Sequence, residues 1–283
     1  MKKQRKMAGK LSSNVKMLST SWNQKMDLTY WHKQSNKPLF PDILWSRPET
    51  KQGAGKLAII GGNSHGFGAP GIAYNRAMEA GAGTIKVVLP DAVRKVVHNL
   101  LPEAEYSSST PSGSFSTKSL EHLLSVASWS DMVLLAGDFG RNSESAIVLE
   151  KFISKYTGPL TITQDTIDYF KEIPLNLTDR DNTIVVLSIS QLQKLFMNTP
   201  VISPIVLSMS SLQLVDALHN YTDKHSCCII TKHNDLIFVA YKGMVSTTKC
   251  EDKIWRVATS AKASVFVMQN PTKIFEAVTS SLI

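Results

Sequence analysis

From Lys56 onward, short apolar runs alternate with longer stretches whose apolar residues recur at helical spacing. Each run has the length of a buried strand and ends in glycine or a polar residue. The runs that predict strands are 57–60, 84–89, 132–135, 160–163 and 184–187. Because a helical stretch follows nearly every run, the pattern predicts an α/β domain with a mainly parallel central sheet and helices on both faces.

The end of the chain follows a different pattern. Residues 227–231 and 236–241 are apolar and are separated by Lys-His-Asn-Asp, which predicts a hairpin. Helices are predicted near 257–268 and 272–281. The sequence has no internal repeat and no linker composition, so residues 56–283 are expected to form one domain.

The net charge of +8 is concentrated near the N-terminus. Residues 1–37 contain nine Lys or Arg and one acid, which accounts for the whole +8. This composition predicts a flexible basic arm that either binds an anionic partner weakly or is a solvated tail. Residues 38–55 contain several prolines and are expected to lie on the domain as an extended strap.

Cysteine and histidine usage excludes several classes of protein. Three cysteines, two of them adjacent in an apolar run, form no disulfide framework and indicate a cytoplasmic protein. No apolar run is long enough to predict a membrane span. The seven histidines show no metal-ligand spacing, so no metal site is predicted.

Ligands of parallel sheets bind beyond the carboxyl ends of the strands, and the first such loop is 61–70, GGNSHGFGAP. Its glycines allow backbone amides to approach a ligand, and the helix that follows favours phosphate at its N-terminus. Gly62, Asn63, Gly68 and Ala69 are the candidate residues here. A tight turn without a ligand is the alternative.

Three further loops carry candidate chemistry. In AGDFGRN (136–142), Asp138 is a candidate base or a helix cap, and Arg141 is a candidate anion contact. Asp165 follows a strand and suits proton transfer, metal contact, ribose binding or helix capping. The small residues of 257–266 open a predicted helix that favours an anion, but this segment contains no acid.

Taken in order, these motifs resemble the ADP- or ATP-dependent NAD(P)H-hydrate dehydratases, the carboxy-terminal domain type of the YjeF family, which has the ribokinase-like fold. The resemblance is strongest in AGKLAIIGGNSHGFGAP, continues through AMEAGAGTIKVVLP and includes LPEA at 101–104. It implies nucleotide-dependent repair of hydrated NADH or NADPH, in which the hydroxyl is phosphorylated and phosphate is then eliminated. Such chemistry needs a carboxylate base and an anion hole.

The resemblance also implies the ligands and the residues that contact them. ATP or ADP would be the nucleotide, accompanied by Mg²⁺, and hydrated NAD(P)H the substrate, in a protein that forms homo-oligomers. The residues implied for substrate binding are Gly62, Asn63, Gly68, Ala69, Gly140 and Arg141. Those implied for nucleotide binding are Lys232, Thr259, Lys262 and Ala263.

The sequence departs from the family pattern where the chemistry takes place. A family glycine is Asp138, the Asp-Ala-Asp segment retains only Asp165, and the catalytic aspartate corresponds to Ser264. Serine is a poor base near neutral pH. Three hypotheses follow: a dehydratase with impaired catalysis, a non-catalytic protein that binds a nucleotide, dinucleotide or partner, and a small-molecule kinase that uses Asp138 or Asp165 as its base.

Overall fold

The computed structural model describes residues 28–101, 104–170, 175–197, 204–253 and 255–283, and these form a ten-stranded sheet covered by helices. The strands are β1 (Trp31–Gln34), β2 (Lys56–Gly61), β3 (Thr84–Pro90), β4 (Ala104–Ser107), β5 (Met132–Gly137), β6 (Leu160–Thr163), β7 (Thr183–Leu187), β8 (Cys228–His233), β9 (Leu236–Tyr241) and β10 (Met244–Lys249).

The described helices occupy the connections between these strands and the end of the chain. They are α1 (Pro41–Trp45), α2 (Gly68–Glu79), α3 (Arg94–Val97), α4 (Leu120–Trp129), α5 (Ser143–Lys155), α6 (Thr166–Tyr169), α7 (Leu175–Thr178), α8 (Ile189–Met197), α9 (Ser211–Thr222), α10 (Trp255–Gln269) and α11 (Ile274–Ser280). Short 3₁₀ turns at Asp91–Val93 and Thr117–Ser119 lead into α3 and α4.

The order of strands across the sheet is β1-β10-β9-β8-β7-β6-β5-β2-β3-β4. Only the pairings of β9 with β8 and β10 are antiparallel among the described strands. The predicted mainly parallel sheet is therefore confirmed. From β2 the chain winds outward through β3 to β4, and then returns to place β5 on the other side of β2. This reversal leaves a crevice at the carboxyl ends of β2 and β5.

Alternating side chains divide the sheet between two layers of helices. Leu57 and Ile59 of β2 belong to the core formed with α2, α10 and α11, and Ala58 and Ile60 point to the opposite face, where α4 packs. All four side chains are fully buried. A parallel strand covered on both faces has this continuous apolar character, which is why the apolar runs identified the central strands.

The N-terminal boundaries differ from the prediction. The arm predicted to end at residue 37 does not extend that far, because Trp31–Gln34 pairs in parallel with β10. Within the predicted strap, Pro41 starts the short helix α1, since proline is well accommodated in a first helical turn. The strap is therefore not fully extended. The rest of the predicted arm, residues 1–27, lies outside the described residues.

The N-terminus of α5 is capped by Asn142, whose side-chain oxygen accepts hydrogen bonds from the amides of Glu144 and Ser145. Strands β4 and β10 were not predicted, because their sequences, AEYS and MVSTTK, are short or polar.

Within the described ranges, none of the helices has the length and apolar character that a bilayer crossing needs.

Gly61 provides a test of the close packing between β2 and β5. A Cβ atom at Gly61 would lie 2.4 Å from the Gly137 carbonyl oxygen, so Gly61→Ala should lower the free energy of unfolding by about 1–3 kcal/mol. Gly71 in α2 is a matched control, because its added Cβ would meet nothing within 4 Å. Gly71→Ala should stabilise the fold by about 0.5–1 kcal/mol. Urea denaturation of both variants measures the difference, and equal effects would contradict the packing described.

Candidate functional site

The crevice at the carboxyl ends of β2 and β5 is formed by two glycine-rich loops. Loop 61–70 leads from β2 to α2, and loop 136–142 leads from β5 to α5. The loops are in contact, since the Gly62 amide donates a hydrogen bond of 2.9 Å to the Gly137 carbonyl. This is the position at which doubly wound sheets bind their ligands.

Asn63 closes the first loop on itself. Its amide donates to the Gly66 carbonyl at 2.7 Å, and its side-chain oxygen accepts from the His65 amide at 2.7 Å. Its side-chain amide donates to the Asp138 carbonyl at 2.6 Å. Through this last hydrogen bond, Asn63 links the two loops. Its side chain is buried, and its polar groups are already engaged within the protein.

The side chain of Asp138, from the second loop, lies at the N-terminus of α2. Its φ angle is 60°, a left-handed conformation that a residue other than glycine adopts infrequently. Its Oδ2 accepts a hydrogen bond of 2.7 Å from the Ala69 amide in the first turn of α2. The positive end of this helix, where an anionic ligand was expected, is therefore capped by a carboxylate of the protein itself.

Asp165 holds the second loop from the end of β6. Its Oδ2 accepts a hydrogen bond of 3.2 Å from the Gly140 amide, and its buried Oδ1 has no hydrogen-bond partner among the described residues. Burial raises the pKa of Asp165, and the negative charge of Asp138 adds to the increase, although amide hydrogen bonds partly offset both. The environment of Asp165 therefore opposes its ionisation.

The second loop can approach Asp165 only because residue 137 is glycine. Gly137 has a φ angle of 101°, and a Cβ atom there would lie 2.4 Å from Gln164 Cβ and 3.1 Å from Asp165 Oδ1. Gly140 is similarly restricted, since its Cβ would lie 3.0 Å from the Asn63 side-chain nitrogen. The glycines therefore serve the contact between the loops themselves.

The other residues expected to bind substrate lie at the rim. Gly68 faces open space, because an added Cβ would meet nothing within 4 Å, and Arg141 is exposed. The structure thus brings Gly62, Asn63, Ala69 and Gly140 together around the two acids.

The segment expected to form the anion hole is continuous helix. Helix α10, predicted near 257–268, begins at Trp255, four residues before Thr259. From the fifth residue onward the amides of an α-helix bond to carbonyls of the preceding turn. The amides of residues 259–264 are therefore engaged within the helix and do not form an anion hole.

Ser264 lies well inside α10 and is fully buried. Its hydroxyl donates to the Ser260 carbonyl at 2.7 Å and bonds to the Thr161 hydroxyl oxygen of β6 at 2.8 Å. The position that corresponds to the family's catalytic aspartate thus connects the helix to the sheet.

The residues expected to contact a nucleotide differ in their exposure. Lys232 Nζ donates to the Asp252 carbonyl at 2.8 Å, Thr259 and Ala263 are buried, and Lys262 is partly exposed. Thr259 and Ala263 therefore offer a nucleotide little exposed surface. The described residues contain no group of three or more His, Cys, Asp or Glu that could hold a metal ion.

Sequence reasoning missed a polar cluster beside Asp165. Gln191 donates to the Gln164 carbonyl at 3.0 Å, and its side-chain oxygen accepts from the Ser188 amide at 3.0 Å and from Arg256 at 3.3 Å. Burial lowers the pKa of Arg256, and the charges of Asp168 and Asp165 partly offset this effect. No sequence motif marks either residue, because each lies within an ordinary helical pattern.

Comparison with known proteins agrees with the fold and with the resemblance. No family model matches the sequence. A stretch of 101 residues, 35% of this chain, is 32% identical to the bifunctional NAD(P)H-hydrate repair enzyme Nnr of Methanothermobacter thermautotrophicus. The match spans only 19% of that enzyme.

Solved structures extend the likeness over most of the chain. A ribokinase-like superfamily protein from Enterococcus faecalis has a TM-score of 0.70 at 18% identity, covering 92% of this chain and 87% of that one. The ADP/ATP-dependent NAD(P)H-hydrate dehydratase from Bacillus subtilis, co-crystallized with ATP/Mg²⁺, has a TM-score of 0.57 at 13% identity, covering 88% and 87%. These likenesses establish the ribokinase-like fold.

The raised pKa of Asp165 predicts a pH-dependent stability. Because the folded protein holds this proton above the usual pKa of 3.8, the folded state binds more protons than the unfolded chain in the interval above 3.8. Lowering the pH from neutral through this interval should therefore stabilise the native protein relative to Asp165→Asn. Urea denaturation across this pH range, with the exposed Asp168→Asn as a control for loss of one carboxylate, measures the trend. A difference between native protein and Asp165→Asn that stays constant with pH would contradict it.

Proposed function

We propose that this chain, which has the ribokinase-like fold and is related to the NAD(P)H-hydrate dehydratases, has strongly impaired dehydratase activity. Hydrated NAD(P)H is the substrate that the relationship suggests, with ATP or ADP as the phosphoryl donor. The proposal concerns the chemical step, in which a base and an anion hole are both required.

The continuous helix at 259–264 is the observation that supports this proposal. The hydroxyl of Ser264 is buried and engaged with Ser260 and Thr161, so it neither acts as a base nor faces a substrate. Loss of a general base lowers rates by about 10²–10⁴, and loss of oxyanion donors by about 10²–10³ more. Together these losses leave little of the activity expected from the family.

A non-catalytic role in binding a nucleotide, a dinucleotide or a partner is the second candidate. Within this candidate, the carboxylates that already accept hydrogen bonds from loop amides, Asp138 from Ala69 and Asp165 from Gly140, favour a partner over a nucleotide or dinucleotide. A phosphate approaching these loops would have to displace an anion of the protein. The binding expected here is therefore weak for polyanionic ligands, and an interaction partner would use another surface.

A small-molecule kinase is the least favoured candidate. A base must accept a proton from its substrate, and one oxygen of each acid already accepts a backbone hydrogen bond. The remaining Asp165 oxygen, Oδ1, is buried away from solvent. Dependence of ATP hydrolysis on a particular alcohol, lost in Asp165→Asn, would instead favour this candidate.

The dehydratase reaction tests the proposal directly. Purified protein incubated with hydrated NADH and either ATP or ADP should give no recovery of absorbance above a control without protein. Ser264→Asp should not restore activity, and it should lower the free energy of unfolding by more than about 3 kcal/mol because it buries an unpaired charge. Ser264→Ala is the control and should cost about 1 kcal/mol. Turnover by the native protein at a rate normal for the family would disprove impairment.

Ligand binding tests the role of Asp138 separately. Asp138→Gly removes the carboxylate from the Ala69 amide and suits the left-handed backbone at this position. NADPH should therefore raise the melting temperature of Asp138→Gly more than that of the native protein. Asp168→Gly controls for the loss of a carboxylate elsewhere. An equal NADPH response in native protein and Asp138→Gly would show that Asp138 does not exclude anions.

A further inference from the structure

A second groove lies at the β4 edge of the sheet and shares no lining residue with the crevice between the glycine-rich loops. It has a volume of about 840 Å³ and is lined by α3, the residues that follow it, strand β4 and His122 of α4. This volume falls in the range of small-molecule sites, roughly 300–1,000 Å³.

One wall of the groove is cationic. Arg94, Lys95 and His98 line it and are exposed. Arg94 and His98 are four residues apart along a helical backbone, so they project on the same side. Asp91, three residues before Arg94, accepts hydrogen bonds from the Ser109 amide and hydroxyl and is not paired with this wall in the described structure.

The acid that lines the groove, Glu105, already has a positively charged partner in Lys86. Glu105 Oε1 lies 2.7 Å from Lys86 Nζ, and Oε2 lies 3.1 Å from His122 Nε2. Burial raises the pKa of Glu105, but hydrogen bonds from Lys86 and His122 outweigh this effect and hold the pKa below its usual range. Glu105 therefore remains a carboxylate paired with Lys86, and Arg94 and Lys95 have no acid partner in the described part of the chain.

Arg94 is held in an orientation suited to binding an oxyanion. Its guanidinium lies 4.8 Å from the centroid of the Tyr106 ring on β4. Stacking on an aromatic face leaves the edges of a guanidinium group available as paired donors, which match phosphate oxygens. The Tyr106 hydroxyl is buried and has no hydrogen-bond partner among the described residues.

We propose that this groove binds a phosphorylated small molecule of about nucleotide size, with its phosphate groups on Arg94 and Lys95. The positive charge without an acid partner among the described residues and the guanidinium over the Tyr106 ring favour a polyanion, and the volume of the groove suits one of nucleotide size. The proposal is independent of the dehydratase reaction, because the groove and the crevice have no residue in common.

Calorimetric titration of the native protein with inorganic tripolyphosphate at low ionic strength tests the proposal. We expect binding with a Kd in the micromolar range that weakens as salt is added. The double variant R94Q/K95Q should weaken it about tenfold or more, since charge-assisted hydrogen bonds are lost. The double variant K151Q/K155Q removes the same charge from exposed positions on α5 and should leave the Kd within about twofold.

Several results would overturn the proposal. One is no binding of tripolyphosphate below the millimolar range, and another is equal weakening in the two double variants. Binding that R94Q/K95Q leaves intact would place the anion elsewhere. Citrate binding as tight as tripolyphosphate would contradict the preference for phosphate. Single-stranded RNA that binds more tightly than tripolyphosphate and is lost in R94Q/K95Q would replace the small ligand with a nucleic acid. Unchanged melting temperatures of both variants show that the comparison reports binding and not unfolding.

Discussion

The hydrogen bond from the Ala69 amide to the Asp138 carboxylate determines how the glycine-rich crevice is arranged. It caps α2, holds loop 136–142 against loop 61–70 and places a negative charge where a doubly wound fold ordinarily attracts a phosphate. Asp165 repeats this arrangement from the neighbouring strand through the Gly140 amide. The crevice therefore retains its glycines, but the amides of Ala69 and Gly140 already bind carboxylates of the protein.

The amides at the start of the segment 259–264 are likewise engaged within the protein, here by helix α10. Ala261, Lys262 and Ala263 lie in the first half of α10, and alanine and lysine favour helix far more than glycine does. The helix consequently begins at Trp255 and packs against α2 and the sheet. Once the backbone is helical, its amides are no longer available to a ligand, so this segment of α10 is a structural element.

The sequence predicted the central sheet well because parallel strands buried on both faces have continuous apolar runs, as in 57–60 and 184–187. It did not predict β1, whose residues, Trp-His-Lys-Gln, belong to a basic segment and whose stability comes from pairing with β10. It located both acids of the crevice, Asp138 and Asp165, from their positions after strands. Their actual partners, and the cluster of Gln191 and Arg256, depend on side-chain contacts between distant segments that no local pattern encodes.

The pairing of β1 with β10 has a consequence for how the chain folds. Gln34 is buried, and its amide donates to Thr248 Oγ1, 214 positions later, and to the Thr279 carbonyl. Because β10 is synthesised long after β1, strand β1 lacks the strand with which it pairs until the ribosome has nearly completed the described residues. Contacts so distant along the chain form late and slowly. The nascent protein therefore exposes the unpaired edges of β1 for longer than a strand that pairs with its neighbour in sequence would.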